Sequence, residues 1–253
     1  GEEMNIHVEG FDGGDRTEIE LPTAQKQLLE AVAATGKPVV VVMLNGSALA
    51  MQWAKEHAAA VLEAWYPGEE GGTAIAETLA GDTDPAGRLP VTFYEGTNQL
   101  PPFTDYSMAD RTYRYFKGTP LWGFGYGLSY TKFEWSNVKL SADKLTAGEP
   151  LTVDADVKNV GSRKGDAVSE IYLTAPASPT TPLHALVGFA RTPLEAGQEQ
   201  HIHVVIHPRS LSAVAANGKR SIGPGEYSIF VGGSQPGEGS AGVTRSFSIV
   251  GDK

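Results

Sequence analysis

The chain has no cysteine, which excludes disulfides, thiolate metal sites and cysteine nucleophiles. Export compartments house cysteine-free proteins as readily as the cytosol does, so this absence leaves the compartment open. It also lacks any hydrophobic run approaching the roughly 18 residues a membrane-spanning helix needs, so a soluble protein with no membrane partner is expected. Basic charge is scarce: 20 Lys and Arg stand against 30 Asp and Glu, a formal charge of -10. No basic stripe offsets that balance, so a phosphate backbone is repelled and nucleic acid is not an expected partner. There is no initiator methionine, and no cationic segment followed by an apolar stretch, so no signal peptide is expected within these residues, and sequence upstream of Gly1 is expected. The acidic, glycine-bearing opening GEEMNIHVEGFDGGDR is read as a loop inside a longer protein.

What is present suits a globular protein. At 253 residues, 41% of them hydrophobic, there is material for one or two domains with a real core. Residues 21–37 (LPTAQKQLLEAVAATGK) place Leu21, Leu28, Leu29, Val32 and Ala33 near helical spacing and finish on Gly36, which predicts a helix. Residues 38–44 (PVVVVML) are a β-branched apolar run, as in a strand buried on both faces of a parallel sheet. A helix over 48–58, a buried strand over 59–67 and a helix over 69–82 follow by the same reasoning. This alternation predicts right-handed βαβ units. Two parallel strands make a poor sheet, so further strands are expected from sequence preceding Gly1.

From about Phe133 the texture changes. Leu151, Val153, Ala155 and Val157 alternate with polar neighbours, and Ile202, Val204 and Ile206 share one face of a second such segment. Turn signals recur at DKLTAGEP, NVGSRKGD, LEAGQE, AANGK and IGPGEY, so this region reads as an all-β sandwich of about seven strands.

Five segments carry a more specific signal: GKPVVVVMLNGSAL, AVLEAWYPGEEGGTAIAETLAGDTDPAGRLPVTF, RTYRYF and PLWGFGYGLSYTKF, with the opening loop before them. In this order and spacing they resemble the C-terminal half of glycoside hydrolase family 3, the β-glucosidases and β-xylosidases. The resemblance implies an α/β fold class: a partial parallel-sheet α/β sandwich domain over residues 1–131, then a fibronectin type III-like domain over residues 132–253. It also implies a retaining mechanism, with an Asp nucleophile on an N-terminal (β/α)8 barrel and a Glu acid/base on a loop of the α/β sandwich. That loop in the family reads Gly-Glu-Gly-Tyr, then Gly-Asp-Arg; here Gly1-Glu2-Glu3-Met4, then Gly14-Asp15-Arg16, stands in the matching place. Glu2 is therefore assigned as acid/base, with Glu3 the alternative because Glu3-Met4 departs from the family's Gly-Tyr. No metal or cofactor is implied. The expected partners are the barrel and a β-linked oligosaccharide or aryl glycoside, and the expected location is periplasmic or secreted. Glucose is the first expectation for the cleaved sugar and xylose the second; barrel residues outside this chain would make the choice.

Retention needs two carboxyl groups about 5 to 5.5 Å apart, one attacking the anomeric carbon and one protonating the leaving oxygen. The acid must begin protonated, which burial or a neighbouring carboxylate arranges by raising its pKa.

Other residues draw attention for their chemistry, each with a plainer reading beside it. Asp15 and Arg16 are expected to fix the loop against the following helix rather than to touch substrate. Glu69 and Glu70 stand where carboxylates cap a helix, and GEEGG lacks the Lys and Ser/Thr of a nucleotide loop. Ser47 is expected as a helix N-cap, since the second Gly of a nucleophile elbow is missing. His201, His203 and His207 share the face opposite the apolar one, so exposed surface histidines are expected ahead of a metal clamp. Tyr113, Tyr115, Phe116, Trp122, Phe124, Tyr126 and Tyr130 are expected to glue the two regions together rather than line a sugar cleft. Gly123, Gly125 and Gly127 among them suggest close backbone approach. The rival to a glycosidase is a module that binds carbohydrate or serves structure without catalysis.

Overall fold

The computed structural model describes residues 9–12, 15–215, 217–237 and 240–253, with the Asp15 side chain left aside. The chain begins with a small hairpin, β1 (Phe11–Asp12) against β2 (Asp15–Arg16). Helix α1 (Thr23–Ala33) starts directly after Pro22, whose restricted φ of -52° suits a helix entrance. It ends three residues before Gly36, earlier than the sequence pattern suggests, and Gly36 turns the chain at φ +73°. Strand β3 (Val40–Met43), helix α2 (Gln52–His57), strand β4 (Ala60–Glu63) and helix α3 (Gly71–Ala80) complete the α/β layer.

β3 and β4 pair in parallel, Val40 opposite Ala60 through Met43 opposite Glu63. The expected strand over 59–67 is thus cut to four residues. Trp65 stands at φ +53°, a left-handed conformation that interrupts regular strand geometry and that a bulky side chain rarely adopts. Nor is β3 buried on both faces: Val41 and Met43 face the core while Val40 is exposed. The core of this layer is Val41, Met43, Met51, Ala54, Phe93 and Leu121. After a 3-10 turn at Thr97–Gln99 and the short helix α4 (Thr112–Tyr115), the chain enters the second region.

There the strands are β5 (Phe133–Leu140), β6 (Lys144–Thr146), β7 (Leu151–Asn159), β8 (Gly165–Thr174), β9 (Ala185–Leu194), β10 (Glu199–Ile206), β11 (Ala213–Val214), β12 (Arg220–Ser221), β13 (Gly225–Gly232) and β14 (Gly242–Val250). One sheet runs β10-β7-β5 and the other β6-β14-β13-β8-β9, while β11 and β12 form a separate ribbon. The alternation expected in β7 is met: Leu151, Val153, Ala155 and Val157 are buried against Ile171, Ile229, Val231 and Phe247 of the facing sheet.

Between the two regions runs a polar and aromatic seam. Asp84 accepts from the Ser129 hydroxyl at 2.9 Å and from the Tyr130 N–H at 2.7 Å. Tyr130 donates to the Thr78 carbonyl of α3 at 2.7 Å, and Arg163, lying over the Tyr130 ring, donates to the Gly81 carbonyl. Deeper in, Tyr113 stacks on Phe124 with centroids 4.2 Å apart, and both meet Tyr172 of β8 edge-on. Tyr172 donates to the buried Glu170 at 2.5 Å. Burial raises the Glu170 carboxyl above the usual range despite Arg88 nearby. Gly125, at φ +77°, leaves the carboxylate its room: a Cβ there would stand 2.1 Å from Glu170 Oε2. The aromatic cluster is interdomain glue at Tyr113, Phe124 and Tyr130, and its glycines mark close approach.

Candidate functional site

Loops at the carboxyl ends of parallel strands are where α/β layers carry their chemistry, because the strand ends fix the loop stems while the helices run back behind the sheet. Here the carboxyl ends of β3 and β4 lie side by side, since Met43 and Glu63 are register partners. The chain leaves β3 through Leu44-Asn45-Gly46-Ser47 and leaves β4 through Ala64-Trp65-Tyr66.

Glu63 organises this edge. Its Oε1 accepts the Trp65 N–H at 3.0 Å, and its Oε2 accepts Asn45 Nδ2 at 3.2 Å. Desolvation raises its pKa, against the lowering effect of those two hydrogen bonds. The Trp65 bond turns the backbone out of the strand immediately after β4, with the positive φ as its local cost of about 1–3 kcal/mol. Asn45 Nδ2 also donates to the Ser47 carbonyl at 2.8 Å, while its Oδ1 is buried without a partner among the described residues. Ser47 Oγ in turn accepts Arg16 Nη1 at 2.7 Å. Gly46 passes under Tyr66, where a Cβ would lie 2.6 Å from the ring.

Arg16 belongs to the β1–β2 hairpin, which a second anchor holds from its other side. Glu9 accepts from the Thr23 N–H at 3.0 Å and from the Thr23 hydroxyl at 2.5 Å, meeting the first turn of α1 with a carboxylate. The Gly10 carbonyl accepts the Thr17 N–H at 2.8 Å, closing the hairpin stem. Just downstream Glu20 accepts from the Thr97 N–H at 2.9 Å and the Thr97 hydroxyl at 2.5 Å. Its carboxyl is held below the usual range, those hydrogen bonds outweighing a desolvation that acts the other way.

Glu2 and Glu3 lie outside the described residues. Arg16 reaches Ser47 rather than the helix that follows it, which corrects the role expected of Arg16, while the Asp15 side chain lies outside the described residues. Ser47 does not cap α2: that helix begins at Gln52 behind Met51, and the Ser47 hydroxyl is engaged by Arg16 instead. Glu70 stands at the N-cap position of α3 but takes the Thr73 hydroxyl at 2.9 Å, not a backbone amide. Glu63 and Asn45 were not singled out from the sequence. The signal was there: Glu63 is a carboxylate inside an otherwise apolar AAVLEAWY run.

The histidines form a separate feature on the sandwich. His201 and His203 are exposed, yet paired across β7. His201 sets Nδ1 2.9 Å from Asp156 Oδ1 and Nε2 3.0 Å from Asp154 Oδ1, while His203 Nδ1 lies 2.8 Å from the same Asp154 oxygen. The carboxylates, Asp156 first, hold the His201 imidazole above its ordinary pKa. Among the described residues no group of three or more His, Asp or Glu is arranged to hold a metal ion.

Residues 1–130 match the model of the glycosyl hydrolase family 3 C-terminal domain, and residues 167–235 that of a fibronectin type III-like domain. The chain is 44% identical to a xylan 1,4-beta-xylosidase of Xylanibacter ruminicola, covering 92% of this chain and 27% of that protein. It is 36% identical to a periplasmic beta-glucosidase of Salmonella typhimurium, covering 87% of this chain and 31% of that one. A crystal structure of beta-glucosidase from Listeria innocua in complex with glucose superimposes with a TM-score of 0.81 at 30% identity, over 94% of this chain and 34% of that chain. The chain therefore spans about a third of the length of these relatives, at their C-terminal side, and it belongs to glycoside hydrolase family 3, carrying the family's C-terminal domain followed by a fibronectin type III-like domain.

Proposed function

We propose that this chain supplies the acid/base loop of a retaining, exo-acting β-glycosidase whose nucleophile stands on an N-terminal (β/α)8 barrel of the same enzyme. Glu2 is the acid/base and Glu3 the alternative. The observation that carries this reading is the mooring of the loop's downstream stem: Glu9 on the start of α1 and Arg16 on Ser47 at the sheet edge. A proton donor must be presented to the leaving oxygen within hydrogen-bond reach, and a loop whose stem is fixed at two points is suited to that task. A loop of merely solvated acids has no need of such a stem.

The substrate in this reading is a β-linked oligosaccharide or aryl glycoside, from which a terminal non-reducing β-D-glucosyl residue is released. A second reading, release of β-D-xylose, is favoured by the name of the 44% identical relative. A periplasmic or secreted location accords with the similarity to a periplasmic beta-glucosidase. Among the described residues no helix is long and apolar enough to cross a membrane.

Alone, the chain holds an acid without a nucleophile, so the 253 residues are expected to leave 4-nitrophenyl β-glucoside and β-xyloside intact. Turnover by the purified chain would refute the division of labour. In the full-length enzyme, Glu2→Ala should cut turnover about 10²- to 10⁴-fold, the usual contribution of general acid–base catalysis. Azide should rescue it by replacing water at the glycosyl-enzyme. Rescue at Glu3→Ala alone would move the assignment by one residue.

A further inference from the structure

We propose that Ser47, Asn45 and Glu63 form a positioning relay that sets the Arg16 end of the acid/base loop against the carboxyl ends of β3 and β4. The inference rests on the reading of the loop given above, and assigns three residues that do not touch substrate to the aim of one that does.

The relay is continuous. Arg16 Nη1 donates to Ser47 Oγ at 2.7 Å; the Ser47 carbonyl accepts Asn45 Nδ2 at 2.8 Å; the same Nδ2 donates to Glu63 Oε2 at 3.2 Å; and Glu63 Oε1 accepts the Trp65 N–H at 3.0 Å. The orientation of the Asn45 amide is forced, because turning it over would set Oδ1 against two acceptors, the Ser47 carbonyl and the Glu63 carboxylate. The far end of the relay is rigid, since Glu63 is the last residue of β4 and both its oxygens are engaged. The near end has little freedom either, since the Tyr66 ring lies where a side chain at Gly46 would stand.

Three features at this edge are unfavourable in themselves: a partly desolvated carboxylate, a tryptophan in the left-handed region and a buried Asn45 Oδ1 without a donor among the described residues. Strain and unsatisfied polar atoms gather where geometry serves function, and a surface turn with no task would have shed them. What they jointly fix is one hydroxyl, Ser47 Oγ, and that hydroxyl holds the loop. Among the described residues the side-chain partner of Arg16 is a neutral hydroxyl oxygen, Ser47 Oγ.

A misplaced acid fails selectively. Departure of an alkoxide or a poorly acidic phenol needs the proton, whereas 2,4-dinitrophenolate leaves without one. In the full-length enzyme Ser47→Ala should lower kcat/KM about tenfold on 4-methoxyphenyl β-glucoside or β-xyloside, a fraction of what general acid catalysis contributes. On the 2,4-dinitrophenyl glycoside, with kcat read as glycosylation in a single turnover, it should stay within about twofold of the parent. Glu63→Gln and Asn45→Ala should show the same split, and Ser47→Thr, which keeps the hydroxyl, should restore the parent's leaving-group dependence. Ser47 is exposed, so its variants test the relay without disturbing the core. The Glu2→Ala variant separates the two ideas. If Glu2→Ala shows the split and Ser47→Ala slows both substrates equally or neither, the relay is wrong while the acid/base stands. If Ser47→Ala shows the split and Glu2→Ala does not, the relay holds and a different carboxylate on the loop is the acid.

Discussion

The two regions of the molecule close their surfaces very differently. Among the described residues 19 buried apolar side chains form one cluster in the sandwich, while the buried cluster of the α/β layer holds six. Helix α1 buries none of its residues: Leu28 is 64% exposed and Val32 42%. Among the described residues β3 and β4 pair only with each other, and Val40 faces solvent at 48%. The α/β layer is organised around what it presents, its moored hairpin and its strand ends, and leaves apolar positions such as Leu28, Val32 and Val40 exposed.

That contrast can be broken most forcefully in the cores. Ile229→Ala, at a fully buried position of β13, should destabilise the 253-residue chain by about 2–5 kcal/mol. Leu28→Ala should change it by no more than about 0.5 kcal/mol, as exposed substitutions do. Urea titrations of the two variants measure the difference, and equal losses would show that α1 is packed after all. Next in size is the seam. Gly125→Ala places a Cβ 2.1 Å from Glu170 Oε2 at a residue with φ +77°, and should cost about 1–3 kcal/mol. The loss should appear in calorimetry as the splitting of one unfolding transition into two, with the α/β layer melting first. Arg163→Ala removes the bond to the Gly81 carbonyl and the contact over Tyr130, and should cost about 0.5–1.5 kcal/mol in the same measurement. The smallest effect sharpens the comparison from the sandwich side. The raised pKa of His201 gives stability below pH of about 6.5 that fades as pH rises through the folded value. The lowered pKa values of Asp154, bonded first to His203, and Asp156, bonded first to His201, give stability above pH of about 3.9 that fades as pH falls through theirs. His201→Gln should therefore lower the urea midpoint most between these limits and least at pH 9. The groups are solvent-exposed, so the shift should be small and weaken with salt.

Much of this was legible in the sequence, and unevenly so. The alternation in β7 and β10 reads directly because a sheet with one buried face imposes a period of two. The parallel pair β3 and β4 reads as strands because their runs are apolar, but their ends do not. Nothing local in AAVLEAWYP announces that Glu63 will turn its carboxylate back to the Trp65 N–H and stop the strand. Ser47 shows the same limit. A serine between a strand and a helix looks like a cap, and only the fold reveals that Arg16, 31 residues earlier, takes the hydroxyl first. Propensity knows the neighbours in sequence, whereas these side chains answer to neighbours in space.

One detail of the seam bears on how such proteins are assembled by evolution. Helix α3 ends at Gly81 in the left-handed conformation, and the Gly81 carbonyl is met by Arg163 from the turn between β7 and β8. The finishing contact of one region is thus supplied by the sequence of the next. A recombination that carried the sandwich to a new host without the α/β layer would strand an arginine and leave a helix end unfinished. A fibronectin-type module that looks portable by its topology is tied to its neighbour through this guanidinium as well as through the Asp84, Tyr130 and Tyr172 contacts of the seam.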